Sequence, residues 1–235
     1  MCEKCATTFV TRRGLLAGGL ALSMAAPLVA SRASAETAAM PVSPDEAMQR
    51  LIEGNARYVA NTPVNTDHSV GRANRALGQQ PFAAIVSCAD SRVSPELIFD
   101  QGPGELFVIR VAGNFINEDG LASLEYGAAV LGIKLIVVLG HSACGAVDAT
   151  IKVVKEKTTL PGHLPSLTDA IRPAVESAMA SDPGDLLAAA TAENARLNAA
   201  KAQGAAPILS EQAAAGKLKS MAGVYDIATG KVSFI

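Results

Sequence analysis

The chain has 235 residues, enough for one well-buried core, and 49% of them are hydrophobic while 18% are charged. This composition is typical of a globular protein and excludes an intrinsically disordered chain. The formal net charge is −2, whereas surfaces that bind nucleic acid or anionic membranes need a clear basic excess. We therefore expect no nucleic-acid partner.

Residues 1–35 have the features of an export signal. The paired Arg12 and Arg13 precede an apolar run, and the segment closes with the small-residue cleavage pattern Ala-Ser-Ala. The apolar run is shorter than the roughly 20 residues that span a bilayer. The arginine pair resembles a twin-arginine signal, with an ordinary secretory leader as the alternative. We predict a folded domain over 36–235, periplasmic or otherwise exported, with no membrane span in the mature chain.

A helix is predicted to open the folded domain. Ser43 is a favourable N-cap, Pro44 suits the first helical position, and Glu46 completes a capping box. Apolar residues then recur at near-helical spacing, as expected for one packed face. They are Met48, Leu51, Ile52 and Tyr58.

Three apolar runs follow, at 82–88, 106–113 and 135–141, and none alternates strictly between apolar and polar residues. Such runs are typical of parallel strands that helices cover on both faces. Helical patterns separate them, one over 94–102 and one that we expect Asp119 to cap. The alternation of strand and helix predicts an α/β fold with a mostly parallel central sheet flanked by helices.

The last third of the domain is predicted to be mainly helical. Residues 145–157 form one helical pattern with its basic residues late, where they suit the helix dipole. Residues 160–204 are Ala-rich and helical, and we expect prolines, Pro173 among them, to interrupt them. Residues 220–235 then indicate two short strands around Thr229-Gly230.

Candidate metal ligands follow two of the predicted strands. Ligand sites in parallel sheets lie at the carboxyl ends of strands, so we expect Cys88, His141 and Cys144 to meet there. Zinc takes thiolate and imidazole ligands, and a catalytic zinc site keeps one position open. Asp90 and Arg92 come just after Cys88, where the guanidinium would keep the carboxylate ionised and oriented.

A disulfide is the alternative for the two cysteines of the folded domain. Cys88 and Cys144 would be the only thiols left after cleavage, because Cys2 and Cys5 lie in the leader. In an oxidising compartment such a pair favours a disulfide. That pairing does not account for His141 beside Cys144, so we favour zinc.

These residues resemble the β-class carbonic anhydrases. The resemblance rests on residues 88–114, 123–132 and 140–147, in that order, and extends over most of the region 43–235. It implies a zinc enzyme that converts carbon dioxide reversibly to bicarbonate and a proton. It also implies a homodimer or higher homo-oligomer, with the N-terminal helix wrapped on a partner.

The resemblance also assigns roles to single residues. Cys88, His141 and Cys144 would hold one zinc ion per subunit. Asp90 and Arg92 would form a catalytic dyad, in which Asp90 can serve as a fourth zinc ligand in a closed state. The remaining positions would be the catalytic Gln79 and the substrate-pocket residues Phe107, Tyr126 and Gly145.

Three other functions stay open from the sequence. A hydrolase of carbonyl sulfide or carbon disulfide could use the same scaffold. A non-catalytic zinc protein would result if Asp90 closed the metal permanently. A disulfide-stapled binding domain would contain neither zinc nor free thiols.

Overall fold

The computed structural model describes residues 42–69 and 71–235, so the predicted leader, with Cys2 and Cys5, lies outside the described residues. Five strands occur in the described part of the chain: β1 (Ala83–Ser87), β2 (Leu106–Arg110), β3 (Leu135–His141), β4 (Lys219–Tyr225) and β5 (Val232–Phe234). They form one sheet in the order β2-β1-β3-β4-β5. All neighbours are parallel except β4 and β5, which are antiparallel. The predicted α/β class is therefore confirmed.

Eight helices lie in the described ranges: α1 (Pro44–Val59), α2 (Arg72–Arg75), α3 (Pro95–Ile98), α4 (Glu118–Ala129), α5 (Gly145–Glu156), α6 (Leu164–Ala180), α7 (Leu186–Gly204) and α8 (Ile208–Ala214). The sequence analysis missed α2 and α8, which are too short for a clear periodic pattern. Every helix in these ranges is too short or too polar to span a bilayer.

The sheet is covered on both faces, which explains the long apolar run of its central strand β3. Every residue of β3 is buried. Val137 faces the side that holds Leu51 of α1, and Val138 faces the side that holds Ala195 of α7. Because successive strand residues point to opposite faces, both sets must be apolar.

Helix α1 begins as the sequence predicts. The amide of Glu46 donates to Oγ of Ser43 at 3.2 Å, and the amide of Ser43 donates to the Glu46 carboxylate at 2.8 Å. This reciprocal capping box satisfies two amides at the helix start. The predicted apolar face is narrower than expected, because Ile52 is exposed to solvent.

Helix α1 packs on its own chain through a buried asparagine. Nδ2 of Asn55 donates to the carbonyls of Ile98 and Gly230, at 3.1 and 2.8 Å, and its Oδ1 accepts from the amide of Val232 at 2.9 Å. Buried amides need such partners. Asn55 thus fixes one side of α1 to its own chain, and the implied wrapping of this helix on a partner stays a prediction.

The prediction that Asp119 caps α4 is wrong. Asn117 is the N-cap, and its side chain accepts from the amide of Gly120 at 2.9 Å. Asp119 lies inside the first turn, with Glu118. Acidic residues are favourable there because the helix dipole is positive at that end.

Pro173 does not interrupt the helix, contrary to the sequence-based expectation. Helix α6 runs through it. The neighbouring Ile171, Ala174 and Val175 are all buried in the core. Burial of these side chains offsets the loss of one backbone hydrogen bond at the proline.

Candidate metal centre

Three buried side chains from two strand ends converge on one point. Cys88 directly follows β1, His141 ends β3, and Cys144 is the N-cap of α5. Because β1 and β3 are parallel neighbours, their carboxyl ends lie at the same edge of the sheet. One ligand atom from each residue lies within 4.8 Å of the other two. The structure thus brings together the predicted metal ligands.

A tight turn returns Cys144 toward His141. Ala143 has φ +54, which is the left-handed region. The amide of Ser142 donates to the carbonyl of Tyr225 at 2.9 Å, and Oγ of Ser142 accepts from the amide of Ile227 at 3.0 Å. These bonds tie the turn to β4 and to the segment that follows it.

The imidazole of His141 is oriented as a metal ligand. Its Nδ1 lies 3.0 Å from the carbonyl oxygen of Ser142, so this nitrogen donates and carries the proton. Nε2 then presents a lone pair, and this buried atom has no hydrogen-bond partner among the described residues. An unpartnered buried nitrogen is costly unless something binds it. A metal ion would satisfy it.

The two thiols cannot both ionise without a cation between them. The neighbouring Cys144 thiol lowers the pKa of Cys88 well below its usual range, despite burial, and the amide of Gly113, 3.2 Å from Sγ, acts in the same direction. The same interaction with Cys88, together with burial, raises the pKa of Cys144. Both are free thiols rather than a disulfide. Two thiolates and a neutral imidazole fit a divalent soft cation such as zinc.

Asp90 borders the ligand cluster and is held by Arg92. Nε and Nη2 of Arg92 donate to the two carboxylate oxygens at 2.9 and 2.7 Å. These bonds hold the pKa of Asp90 well below its usual range. Oδ2 of Asp90 lies 4.0 Å from Nε2 of His141. An ionised hydrogen-bond acceptor therefore lies beside the predicted metal position.

Comparison with known proteins identifies the family. A family model described as "Carbonic anhydrase" matches residues 83–232, more than half of the chain. The solved structure of the β-carbonic anhydrase CcaA is 32% identical and superposes with a TM-score of 0.61 over 80% of this chain and 91% of CcaA. The chain belongs to the β-class carbonic anhydrase family.

Curated carbonic anhydrases show the same relationship. Carbonic anhydrase 2 of Mycobacterium tuberculosis is 46% identical over 134 residues, which cover 57% of this chain and 65% of that protein. The chain therefore spans slightly less than two thirds of this relative. The carbonic anhydrase of Synechococcus elongatus is 33% identical over 194 residues, which cover 79% of this chain and 70% of that protein.

The other residues that the β-class resemblance singles out do not all reach the metal centre within one chain. Gly145 directly follows Cys144 and lies beside it. Phe107 pairs with Ala84, four residues before Cys88, which places it about 13 Å away along the strand at roughly 3.3 Å per residue.

Two more of these residues lie at that distant end of the sheet. The ring of Tyr126 packs on Phe107 with centroids 6.5 Å apart. Gln79 precedes β1 on an exposed loop. Within the described chain, these side chains therefore lie away from the metal ligands, and their roles at the site stay predictions.

Arg110 contacts the backbone beside the candidate metal centre, and the sequence analysis did not single it out. Its Nε donates to the carbonyl of Cys88 at 3.0 Å, and its Nη2 donates to the carbonyl of Asp90 at 2.7 Å. It therefore braces the loop that carries one metal ligand and the dyad. The sequence did offer a signal for it, because Arg110 is a charged residue at the end of the otherwise apolar strand β2.

Proposed function

We propose that the protein catalyses the reversible hydration of carbon dioxide to bicarbonate and a proton, with one zinc ion per subunit. The observation that carries this proposal is the buried cluster of Cys88, His141 and Cys144 beside the ion pair of Asp90 and Arg92. Membership in the carbonic anhydrase family supports the same reaction.

The three ligands match zinc in type and number. The free lone pair of His141 Nε2 and the two coupled thiols supply one nitrogen and two sulfurs, and three protein ligands are typical of catalytic zinc. A zinc ion bound there would act as a Lewis acid that makes water nucleophilic near neutral pH.

Asp90 would orient the attacking water. Arg92 keeps the carboxylate ionised, so Asp90 accepts hydrogen bonds and does not donate them. A hydrogen bond from the water to Asp90 would turn a lone pair of the water oxygen toward carbon dioxide. Because the carboxylate is already fixed at three points, counting the amide of Arg92 at 2.9 Å, this orientation costs little reorganisation during the reaction.

A second copy of the chain would complete the substrate pocket. β2 lies at one end of the sheet, so one edge of it is unpaired within the described residues. Tyr126 is 48% exposed, although its ring packs on Phe107. We infer a homodimer in which Gln79, Phe107 and Tyr126 of each chain approach the metal centre of the other.

Stopped-flow measurement of carbon dioxide hydration tests the reaction. The zinc-loaded protein should show fast turnover that a zinc-binding anion abolishes, and the Cys144→Ser variant should be inactive. Turnover of carbonyl sulfide without turnover of carbon dioxide would overturn the proposed substrate. A zinc-loaded protein inactive on both would contradict an enzymatic role.

We also propose that the protein is exported through its twin-arginine-like leader. Twin-arginine systems move folded proteins, so zinc could be bound in the cytoplasm, where both thiols stay reduced. Cell fractionation of the full chain tests this. Lysine at both Arg12 and Arg13 should retain the protein in the cytoplasm, and an unchanged periplasmic fraction would overturn the twin-arginine route.

A further inference from the structure

Helix α7 holds the loop that follows β2 through two buried asparagines. Nδ2 of Asn194 donates to the carbonyl of Gly113 at 2.8 Å, and Oδ1 of Asn198 accepts from the amide of Ile116 at 2.8 Å. Nδ2 of Asn198 also donates to Oδ1 of Asn194 at 3.1 Å. Asn194 is 1% exposed. The asparagines thus bind two points of this loop to the same helix.

Gly113 connects this pair to a metal ligand. Its amide donates to Sγ of Cys88 at 3.2 Å, while its carbonyl accepts from Asn194. Its φ is +83, and an added Cβ would lie 2.4 Å from Cδ1 of Ile171. The position therefore requires glycine, whose own backbone preference does not fix the orientation of the flanking peptide groups. That orientation depends on the hydrogen bonds made by those groups.

The amide of Gly113 matters because it acts on the thiolate. A hydrogen bond to a thiolate withdraws electron density from sulfur and fixes its direction. Loss of such an outer partner typically weakens metal binding by about 10- to 100-fold. A residue that holds the amide in place therefore affects the metal without touching it.

We propose that Asn194, with Asn198 behind it, is a positioning residue for the metal centre, because it keeps the amide of Gly113 on the sulfur of Cys88. This inference rests on the proposed zinc centre. It concerns how strongly the sulfur of Cys88 binds the metal, whereas the proposed function concerns which residues are the ligands.

Gln203 provides a control on the same helix, at an exposed position. Its Oε1 accepts from the amide of Ser220 at 2.8 Å, at the amino end of β4 and away from Cys88. Gln203→Leu removes a tie between α7 and the sheet, as Asn194→Leu removes the tie to the loop. An effect of α7 on general stability would appear in both variants, whereas a positioning effect appears only at Asn194.

The test measures metal binding and needs no turnover. Zinc release from the full-length protein into excess chelator is timed, and the sulfur-to-metal charge-transfer band of the cobalt(II) form is recorded. Asn194→Leu should release zinc about tenfold faster or more and shift the band, while Gln203→Leu should match the wild type. If the leucine variant does not fold, Asn194→Ser replaces it.

Two results would overturn the inference while leaving the proposed function intact. In the first, the wild type binds zinc, and Asn194→Leu matches it both in the rate of zinc release and in the cobalt(II) charge-transfer band. The other is an equal change in Gln203→Leu. A wild type that binds no zinc would instead overturn the proposed function, and this inference with it.

Discussion

Asp90 and Arg92 meet through two parallel contacts, Nε to Oδ1 at 2.9 Å and Nη2 to Oδ2 at 2.7 Å. The side chains are 18% and 52% exposed, so the pair contributes little to stability. Its proposed function is to orient the Asp90 carboxylate toward the metal position. We predict that Asp90→Asn, which keeps the shape and removes the charge, lowers kcat/KM by about 100-fold with little change in Tm.

The exposed pair of Asp148 and Lys152 serves as the control, with Nζ 2.7 Å from Oδ2. The backbone amide of Asp148 donates to the carbonyl of Cys144, and a change of the side chain leaves that bond in place. Asp148→Asn should leave kcat/KM unchanged. Arg92→Lys should fall between the wild type and Asp90→Asn, because lysine cannot make two parallel bonds. Wild-type kinetics in Asp90→Asn would contradict the assigned role.

The surroundings of Asp100 indicate how the free energy of unfolding depends on pH. Its side chain is 1% exposed; Nε of Arg57 lies 2.5 Å from Oδ2, and the amides of Val64 and Asn65 donate at 3.1 and 3.0 Å. Burial acts to raise the pKa of Asp100, but these bonds outweigh it and lower the pKa below 3.8. This contribution to stability is therefore full above the unfolded pKa and is lost as the pH falls through the folded pKa.

Asp100→Asn tests that dependence and retains the backbone, since asparagine tolerates the φ of +46 at this position. Removing the charge should lower the free energy of unfolding by about 2–4 kcal/mol at pH 7, and by clearly less at pH 3. Urea unfolding at both pH values gives the comparison. An equal loss at both would show that the carboxylate charge is not what stabilises this region.

Subunit complementation tests the shared pocket. Cys88→Ser and Gln79→Ala should each lower activity as homodimers. In a hybrid dimer, one of the two sites takes Cys88 from one chain and Gln79 from the other and is intact. About half of the dimers in a fully exchanged equal mixture are hybrids, so the mixture should recover about a quarter of wild-type activity. Turnover after subunit exchange is the measurement.

A mixture of Cys88→Ser with Cys144→Ser is the control for that experiment. Both ligands belong to the same chain's site, so every hybrid site stays defective and activity should not return. Recovery in this control, or none in the test mixture, would contradict a pocket completed by a second chain.

Sequence patterns predict the features that depend on nearby residues. The Ser43 and Glu46 cap lies within one turn, and Cys88 and His141 meet because parallel strands end at one edge. The residues Phe107 and Asn194 show what was not predictable. The place of Phe107 depends on the register of β2 against β1, and the bond from Asn194 to the β2 loop joins residues far apart in sequence.

X-ray absorption at the zinc edge of the purified protein tests the central claim most directly. We predict one zinc per chain with two sulfur ligands at about 2.3 Å and two nitrogen or oxygen ligands at about 2.0–2.2 Å. Cys88→Ser and Cys144→Ser should each remove one sulfur from that shell. Zinc without sulfur ligands, or no zinc together with a Cys88–Cys144 disulfide, would contradict the account.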